Sequence, residues 1–253
     1  KSRLIVVEKN NNDVMAESFR ALRTNLQFVM KNTDGKVVMF TSSSSGEGKT
    51  FIASNMAVSV ALLGKKVLLV GGDIRRPRLS EVFSVNHDAE GSTSYLAADV
   101  KDLAAQEDEL SLLDKYIVSS DSAEGLDILP AGIVPPNPAE LLAGVNLENA
   151  FDHLKEKYDY IIMDSAPVGL VSDSLIASRV ADAVVYVFRL DYSHSEDVVF
   201  LNSLIKEGKL KNVSVVINGE DHKKIRRGGR RYTGYGYGYG YGYGYGYSDD
   251  KKS

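Results

Sequence analysis

A loop rich in serine and glycine, SSSSGEGKT at residues 42–50, ends in a lysine and a threonine. Gly46 and Gly48 allow the backbone to turn its N–H groups toward phosphate oxygens, and a helix that begins at Lys49 would add the positive end of its dipole. The Lys49 ammonium can reach the outer phosphates, and the Thr50 hydroxyl can ligate Mg2+. A serine-rich loop that precedes a helix by chance is the alternative. As a P-loop, the pattern predicts nucleotide contacts from Ser45, Gly46, Glu47, Gly48, Lys49, Thr50 and Phe51.

Two aspartates follow apolar runs that have the composition of buried strands. Asp164 follows residues 160–163, and Asp73 follows residues 67–70 and two glycines. If both runs are strands of a parallel sheet, both carboxylates lie near the P-loop, because ligands bind at the carboxyl ends of such strands. A carboxylate there can hold Mg2+, directly or through water, or accept a proton. Each aspartate could also be an ordinary turn residue.

Helical and strand periodicities alternate along the chain that surrounds these residues. Asp13 is predicted to cap a first helix, whose apolar face carries Met15, Phe19, Leu22, Leu26 and Val29. Buried strands are predicted at residues 37–40 and 67–70, and further strands at residues 126–129, 160–163, 183–188 and 213–217. Helices are predicted at residues 49–63, 172–180 and 193–206, and another begins after Asn137. This alternation predicts an α/β fold of the P-loop NTPase type, with a mainly parallel central sheet and helices on both faces.

The region between the second and third predicted strands is harder to interpret. Residues 80–122 mix short helical patterns with polar stretches and have no strong period. We expect this region to be helical.

The whole chain has 253 residues, a net charge of −4, 43% hydrophobic residues and no cysteine. The absence of cysteine excludes disulfide scaffolds, thiolate zinc sites and cysteine nucleophiles. No apolar run approaches the roughly 18 residues that a membrane helix needs, so the chain is expected to be soluble as given. Because the first residue is lysine rather than methionine, we expect a segment of a longer protein.

The composition changes after residue 219. Eight of the 14 tyrosines follow this point, and they are mostly separated by single glycines. They are Tyr232, Tyr235, Tyr237, Tyr239, Tyr241, Tyr243, Tyr245 and Tyr247. Basic residues outnumber acidic ones in the same stretch, and a Tyr/Gly repeat buries no core of its own. The sequence therefore predicts a folded domain at residues 1–219 and a flexible, disordered tail at residues 220–253. The alternative for the tail is a linker that takes no part in any reaction.

Four motifs add specificity to the P-loop: GEGKT at residues 46–50, GDIRRP at 72–77, GIVPPNPAELL at 132–142 and DSAP at 164–167. Together they resemble the cytoplasmic kinase domain of the bacterial tyrosine autokinases, or BY-kinases, which regulate capsule and exopolysaccharide synthesis. The resemblance runs from about Asp13 to the tyrosine tail. The family's additional aspartate motif usually has two acidic residues, and the first of these corresponds to Gly71 here. Asp73 therefore stands alone at this motif.

The resemblance implies a protein-tyrosine kinase that transfers a phosphoryl group from ATP to the eight tail tyrosines, with Mg2+ as cofactor. Lys49, Asp73 and Asp164 would then be catalytic, with Asp73 as the candidate base. Thr50, Asp73 and Asp164 would hold the metal. By resemblance to related P-loop ATPases, Asn218 would contact adenine; a simple turn residue is the alternative.

Glu17, Arg20 and Arg23 have the spacing Glu-x-x-Arg-x-x-Arg. By resemblance this is an oligomerisation motif, which implies a homo-oligomeric ring. From the residues alone, an ion pair between Glu17 and Arg20 within one solvated helix explains the pattern equally well.

The resemblance also implies a membrane activator or polysaccharide co-polymerase segment, fused upstream or separate, and a cognate tyrosine phosphatase. It places the domain at the cytoplasmic face of the bacterial inner membrane, and no nucleic-acid partner is expected.

Two other functions compete with the kinase interpretation. A MinD- or ParA-like ATPase has an additional lysine near the start of its P-loop, where this chain has Ser44, and such proteins lack a tyrosine tail. The P-loop also departs from its usual pattern at Ser43, which replaces the first glycine. A nucleotide-gated scaffold without kinase activity is the second alternative, in which the tail would serve for docking.

Overall fold

The computed structural model describes residues 4–11, 13–33, 35–85, 90–98 and 111–220. The strands are β1 (Val37–Ser42), β2 (Val67–Gly72), β3 (Val118–Ser119), β4 (Leu126–Leu129), β5 (Tyr160–Ser165), β6 (Ala183–Arg189) and β7 (Val213–Asn218). The helices are α1 (Val14–Thr33), α2 (Lys49–Ala61), α3 (Leu79–Phe83), α4 (Ser92–Leu96), α5 (Ser111–Asp114), α6 (Pro138–Ala143), α7 (Asn146–Lys157), α8 (Asp173–Ala177) and α9 (Ser195–Lys206). A 3-10 turn at Ser178–Val180 extends α8.

The seven strands form one sheet in the order β3-β4-β2-β5-β1-β6-β7. All pairs are parallel except β3 with β4. Every residue of β1 and β2 is buried, which explains their unbroken apolar runs, since central parallel strands are covered on both faces. The predicted mainly parallel sheet is confirmed.

Two apolar cores cover the two faces of this sheet. Met39 of β1 belongs to the core formed with α7 and α9, whereas the next residue, Phe40, belongs to the core formed with α1 and α2. Successive side chains of a strand point to opposite faces, so one strand supplies both cores. The expectation of helices on both faces is confirmed.

Helix α1 begins as predicted, but its buried face is rotated. The Ala16 N–H donates to the Asp13 carboxylate at 2.7 Å, which is a helix cap. Met15 was expected in the apolar face but is 41% exposed. The buried residues of this helix are Ala16, Phe19, Leu26 and Met30. Ala16 and Met30 lie on the opposite flank of Phe19 from Met15, so the packed face is displaced from the predicted one.

The expectation for residues 80–122 is wrong. Residues 80–122 were expected to be helical, but the described part contains only the short helices α3, α4 and α5, and residues 118–119 form the antiparallel edge strand β3. Both residues of β3 are exposed, so hydrophobic periodicity gives no signal for this strand.

Helix α7 was not predicted, although Leu147, Ala150, Phe151 and Leu154 have helical spacing and are buried. No described helix is both long enough and apolar enough to cross a membrane.

Candidate functional site

The carboxyl ends of β1, β2 and β5 meet at one edge of the sheet, beside a cavity of about 500 Å³. P-loop residues line one side of the cavity, and Asp73 lines another. Gly46 and Gly48 have φ angles of 92° and 98°, which glycine adopts without strain. Because α2 begins at Lys49, the positive end of its dipole lies at the cavity. Ser45, Thr50 and Phe51 also line it.

Thr50 and Asp164 are hydrogen-bonded to each other next to the P-loop. Thr50 Oγ1 donates to Asp164 Oδ2 at 2.7 Å. Asp164 is only 3% exposed, and its Oδ1 has no hydrogen-bond partner among the described residues. Burial raises the pKa of Asp164 to about 6, although the charge of Lys49 and the hydrogen bond from Thr50 favour the ionised form.

These two residues fit a bound Mg2+. A buried carboxylate oxygen without a partner is unfavourable unless a cation or a water completes its contacts. Mg2+ takes only one or two protein carboxylates and obtains its other ligands from phosphates and water. The described residues contain no group of three or more His, Cys, Asp or Glu that could hold a metal ion. Thr50 and Asp164 would hold the metal, and Asp73 lies near enough to contribute to the electrostatics of Asp164.

Asp73 lies in a more open environment than Asp164. Its N–H donates to the Asp164 carbonyl oxygen at 2.9 Å, so the two strand ends are joined. Its Oδ1 accepts the Arg76 N–H at 3.0 Å. Because the Asp73 side chain is half-buried and lines the cavity, it could accept a proton from a hydroxyl that enters there.

Arg75 fixes the segment that follows Asp73. Its Nε and Nη2 donate to the two carboxylate oxygens of Asp173 at 2.6 and 3.0 Å. Asp173 is 1% exposed and lies in α8. The neighbouring Arg76 and Arg78 also line the cavity, which makes its rim basic.

The predicted nucleotide contacts Glu47 and Asn218 lie on the other side of the P-loop. Glu47 is fully buried, and its Oε2 accepts the Ser44 N–H at 2.7 Å. Asn218 Nδ2 donates to the Glu47 carbonyl at 2.9 Å, and Asn218 Oδ1 accepts the Gly219 N–H at 2.8 Å. Both residues hold the P-loop in place, and the adenine contact of Asn218 stays a prediction.

Sequence reasoning missed two residues that contact the P-loop. Arg189 and Tyr192 donate hydrogen bonds to carbonyl oxygens of Gly46 and Ser45. The only available signal was that Arg189 directly follows a predicted strand, and its partner could not be known before β6 was placed beside β1.

The motif Glu17, Arg20 and Arg23 is on α1, away from the cavity. Arg20 forms an ion pair with Glu17. Arg20 also donates to the Asn11 carbonyl oxygen, and the half-buried Arg23 donates to the Ser59 carbonyl of α2 at 2.8 Å, so both arginines of the motif are bound within the chain. The oligomerisation role stays a prediction. The eight tail tyrosines lie outside the described residues.

Comparison with known proteins identifies similar chains. Residues 35–216 match the AAA domain family AAA_31. The chain is 32% identical over 209 residues to tyrosine-protein kinase YwqD of Bacillus subtilis (strain 168), and the match covers 83% of each protein. It is 31% identical over 210 residues to tyrosine-protein kinase etk of Escherichia coli (strain K12), where the match covers 83% of this chain but 27% of that protein.

Solved structures separate two of the candidate functions. The chimerical protein CapA2B2 matches with a TM-score of 0.73 and 30% identity, over 87% of this chain and 91% of that chain. The Pyrococcus furiosus cell division ATPase MinD matches with a TM-score of 0.55 and 25% identity, over 73% of this chain and 72% of that chain. The fold is shared with both proteins, but the chain is more similar to the first and to the named kinases than to MinD.

Proposed function

Since the chain belongs to the AAA domain family and to the bacterial tyrosine-protein kinases, we propose that it transfers the γ-phosphoryl group of ATP to tyrosines of its own tail. One observation carries the proposal. Lys49 and the half-buried Asp73 line one cavity with Thr50, and Thr50 is hydrogen-bonded to the buried Asp164, whose Oδ1 has no partner among the described residues. These are the parts that phosphoryl transfer requires: phosphate contacts, a metal ligand and a proton acceptor.

The P-loop would bind the phosphates through its backbone N–H groups and Lys49. The Lys49 side chain is 7% exposed, so its charge acts close to the phosphates with little screening by water. Mg2+, held by Thr50 and Asp164, would supply positive charge to the β- and γ-phosphates. Charge stabilisation of this kind is most of what a protein contributes to such a reaction.

Asp73 would take the proton from the attacking tyrosine. The phenol has an ordinary pKa of about 10 and is a weak nucleophile near neutral pH. As the phenol oxygen bonds to the γ-phosphorus, the bond from that phosphorus to the bridging oxygen breaks and ADP leaves. The phenolic proton passes to the Asp73 carboxylate, which lies on the accessible side of the cavity.

The acceptor would be the Tyr/Gly tail that begins at residue 220. The chain divides into units after Gly219, which supports this boundary. If the segment from Gly219 to Tyr247 behaves as a flexible chain, it would span roughly 30 Å, which would allow transfer to a tail tyrosine either within one subunit or between neighbouring subunits. We favour transfer between the subunits of a ring assembled through Glu17, Arg20 and Arg23.

The cellular role would be the control of exopolysaccharide or capsule synthesis and export. The proposal places the domain at the cytoplasmic face of the inner membrane, where a membrane activator or co-polymerase segment would stimulate it. A tyrosine phosphatase would reverse the modification.

The direct test is incubation of the full chain with ATP and Mg2+, followed by mass-spectrometric mapping of phosphotyrosine. We expect phosphate on several of the eight tail tyrosines and none in the Lys49→Met variant. ATP hydrolysis without phosphotyrosine would favour a MinD-like ATPase, and neither product would favour a scaffold.

Transfer between subunits has its own test. A Lys49→Met chain that keeps the tail is mixed with an active chain that ends at residue 219. Phosphate on the intact tail requires transfer from one subunit to another. Labelling of the wild-type tail but not of this mixture would contradict transfer in trans.

A further inference from the structure

Three side chains hold the P-loop from the side opposite the cavity. The carbonyl oxygens of residues 45–47 each accept one hydrogen bond. Tyr192 Oη donates to the first at 2.7 Å, Arg189 Nη1 donates to the second at 2.9 Å, and Asn218 Nδ2 donates to the third at 2.9 Å. The donors come from the end of β6, from the connection between β6 and α9, and from the end of β7.

These contacts determine the direction of three N–H groups. In a planar trans peptide the carbonyl and the N–H of the same unit point in opposite directions. The carbonyls of residues 45–47 share their peptide units with the N–H groups of residues 46–48. Because the carbonyls are turned toward β6 and β7, the N–H groups are turned toward the cavity. Among the described residues, none of these three N–H groups has a hydrogen-bond acceptor.

The buried Glu47 side chain adds a second connection. Its Oε2 accepts the Ser44 N–H at 2.7 Å, so this N–H is not available to a ligand. Its Oε1 accepts a hydrogen bond from Ser193 Oγ, in the same connection that carries Tyr192. The carboxylate therefore links the P-loop to that connection and selects which N–H groups stay free.

The three donors are themselves held in place. The Arg189 guanidinium lies 5.4 Å from the centre of the Tyr192 ring, within the range of a cation-π contact. A Cβ atom added at Gly48 would lie 2.1 Å from Asn218 Nδ2, so the amide packs directly against the loop. Each of the three donors therefore has a further contact besides its hydrogen bond to the P-loop.

We propose that Arg189, Tyr192 and Asn218 are positioning residues that orient the P-loop N–H groups toward the phosphates of the bound nucleotide. The inference rests on the proposed function in one respect: the ligand is a nucleoside polyphosphate. With the carbonyls anchored, the N–H groups point at the ligand before it binds, so binding requires no reorientation of the loop.

The test measures binding of ADP with Mg2+ to the full chain by calorimetry. Tyr192→Phe keeps the ring and removes the donor, and Arg189→Met removes the guanidinium. Because each change removes one hydrogen bond, we expect each to weaken ADP binding by about three- to tenfold. Arg189→Lys, which keeps a donor, should recover part of the loss. The unfolding midpoint of the ligand-free protein should stay within about 2 °C, since the contacts are at the exposed end of the sheet.

Arg179 supplies a matched control. It donates to the carbonyl oxygens of Ala143 and Gly144 at 3.1 and 2.6 Å, a contact of the same kind away from the P-loop. We expect Arg179→Met to bind ADP like the wild type.

Wild-type ADP affinity in Tyr192→Phe and Arg189→Met would overturn the proposal, and so would an equal loss in Arg179→Met. If Arg189→Met does not fold, Tyr192→Phe decides alone, because it removes a single oxygen. Wild-type protein that binds ADP but forms no phosphotyrosine would refute the kinase function and leave the positioning role standing.

Discussion

The ends of β2 and β5 present two aspartates in opposite environments. Asp164, at the end of β5, is 3% exposed, and its buried Oδ1 has no hydrogen-bond partner in the part of the chain that the structure describes. Asp73, just after β2, is half-buried, lines the cavity and accepts a backbone N–H. The same side chain therefore suits two tasks: the buried carboxylate is placed to bind a cation, and the open one is placed to exchange a proton with a substrate.

Gly71 explains why the β2 end contributes only one carboxylate. In the parallel register Gly71 is paired with Asp164. A Cβ atom added at Gly71 would lie 3.0 Å from the Ala131 backbone nitrogen, so the chain after β4 already fills this space. In the proposed mechanism, metal binding would consequently depend more on Asp164 here than in a protein with two acidic residues at this motif.

The largest expected effect is that of Asp164→Asn. Loss of the metal ligand should lower the rate of tail phosphorylation by about 10³-fold, since a bound metal supplies several kcal/mol of transition-state stabilisation. The variant should bind ADP equally well with and without Mg2+, at the affinity that the wild type is expected to have in EDTA.

The same variant tests the environment of Asp164 independently of activity. Burial raises the pKa of Asp164 from its ordinary value of 3.8 to about 6. At pH values between these two, the folded protein therefore keeps a proton on Asp164 that the unfolded chain has lost. The stability of the ligand-free fold therefore falls as the pH rises from about 4 to 6, and the full loss is present above pH 6. At pH 8 the ligand-free Asp164→Asn variant should melt no lower than the wild type; a clearly lower midpoint would contradict the assignment.

Asp73→Asn should have a smaller effect on the rate. Proton transfer contributes at least about 10²-fold, and a loose phosphoryl-transfer transition state draws little from early proton removal. We therefore expect about a 10²-fold loss in kcat with little change in the KM for ATP. If Asp73→Asn weakens ATP binding as strongly as Asp164→Asn does, the division of roles between the two strand ends is wrong.

Arg75→Met tests what holds the β2 end in place. It leaves the buried Asp173 carboxylate without its bidentate partner. We expect a loss of about 1–3 kcal/mol in the free energy of unfolding, with the lower part of this range favoured because Arg75 is 42% exposed. Chemical denaturation measures the effect. Arg78→Met is the control, because its exposed pair with Glu81 at 3.8 Å should contribute less than about 1 kcal/mol.

The smallest effect on stability is expected away from both strand ends. Arg20→Gln removes the ion pair with Glu17 and the hydrogen bond that Arg20 donates to the Asn11 carbonyl oxygen, which together should change the free energy of unfolding by no more than about 1 kcal/mol. If α1 forms the proposed ring, the same change should lower the assembly size in sedimentation experiments. An unchanged size would remove support for the oligomerisation role.

Prediction from sequence worked best where a short segment carries its own physical signal. Unbroken apolar runs identified the central strands, and the glycines and Lys49 identified a P-loop that the structure places between β1 and α2 beside a cavity. It was less successful at residues 118–119, where an exposed two-residue strand has no periodicity. Helix α7 shows a different limit, since its apolar spacing was present but was not recognised.

The sequence by itself determined the fold class, the P-loop and the two strand-end aspartates, because these depend on local residue order and on the rule that parallel strands end together. Only the tertiary structure decided that Asp164 is buried and Asp73 open, and that Arg189 and Tyr192 hold the P-loop carbonyls. Burial and hydrogen bonding between residues more than 140 positions apart depend on which strands become neighbours. Packing of the whole sheet decides which strands become neighbours, so no single segment of the chain is enough to predict these contacts.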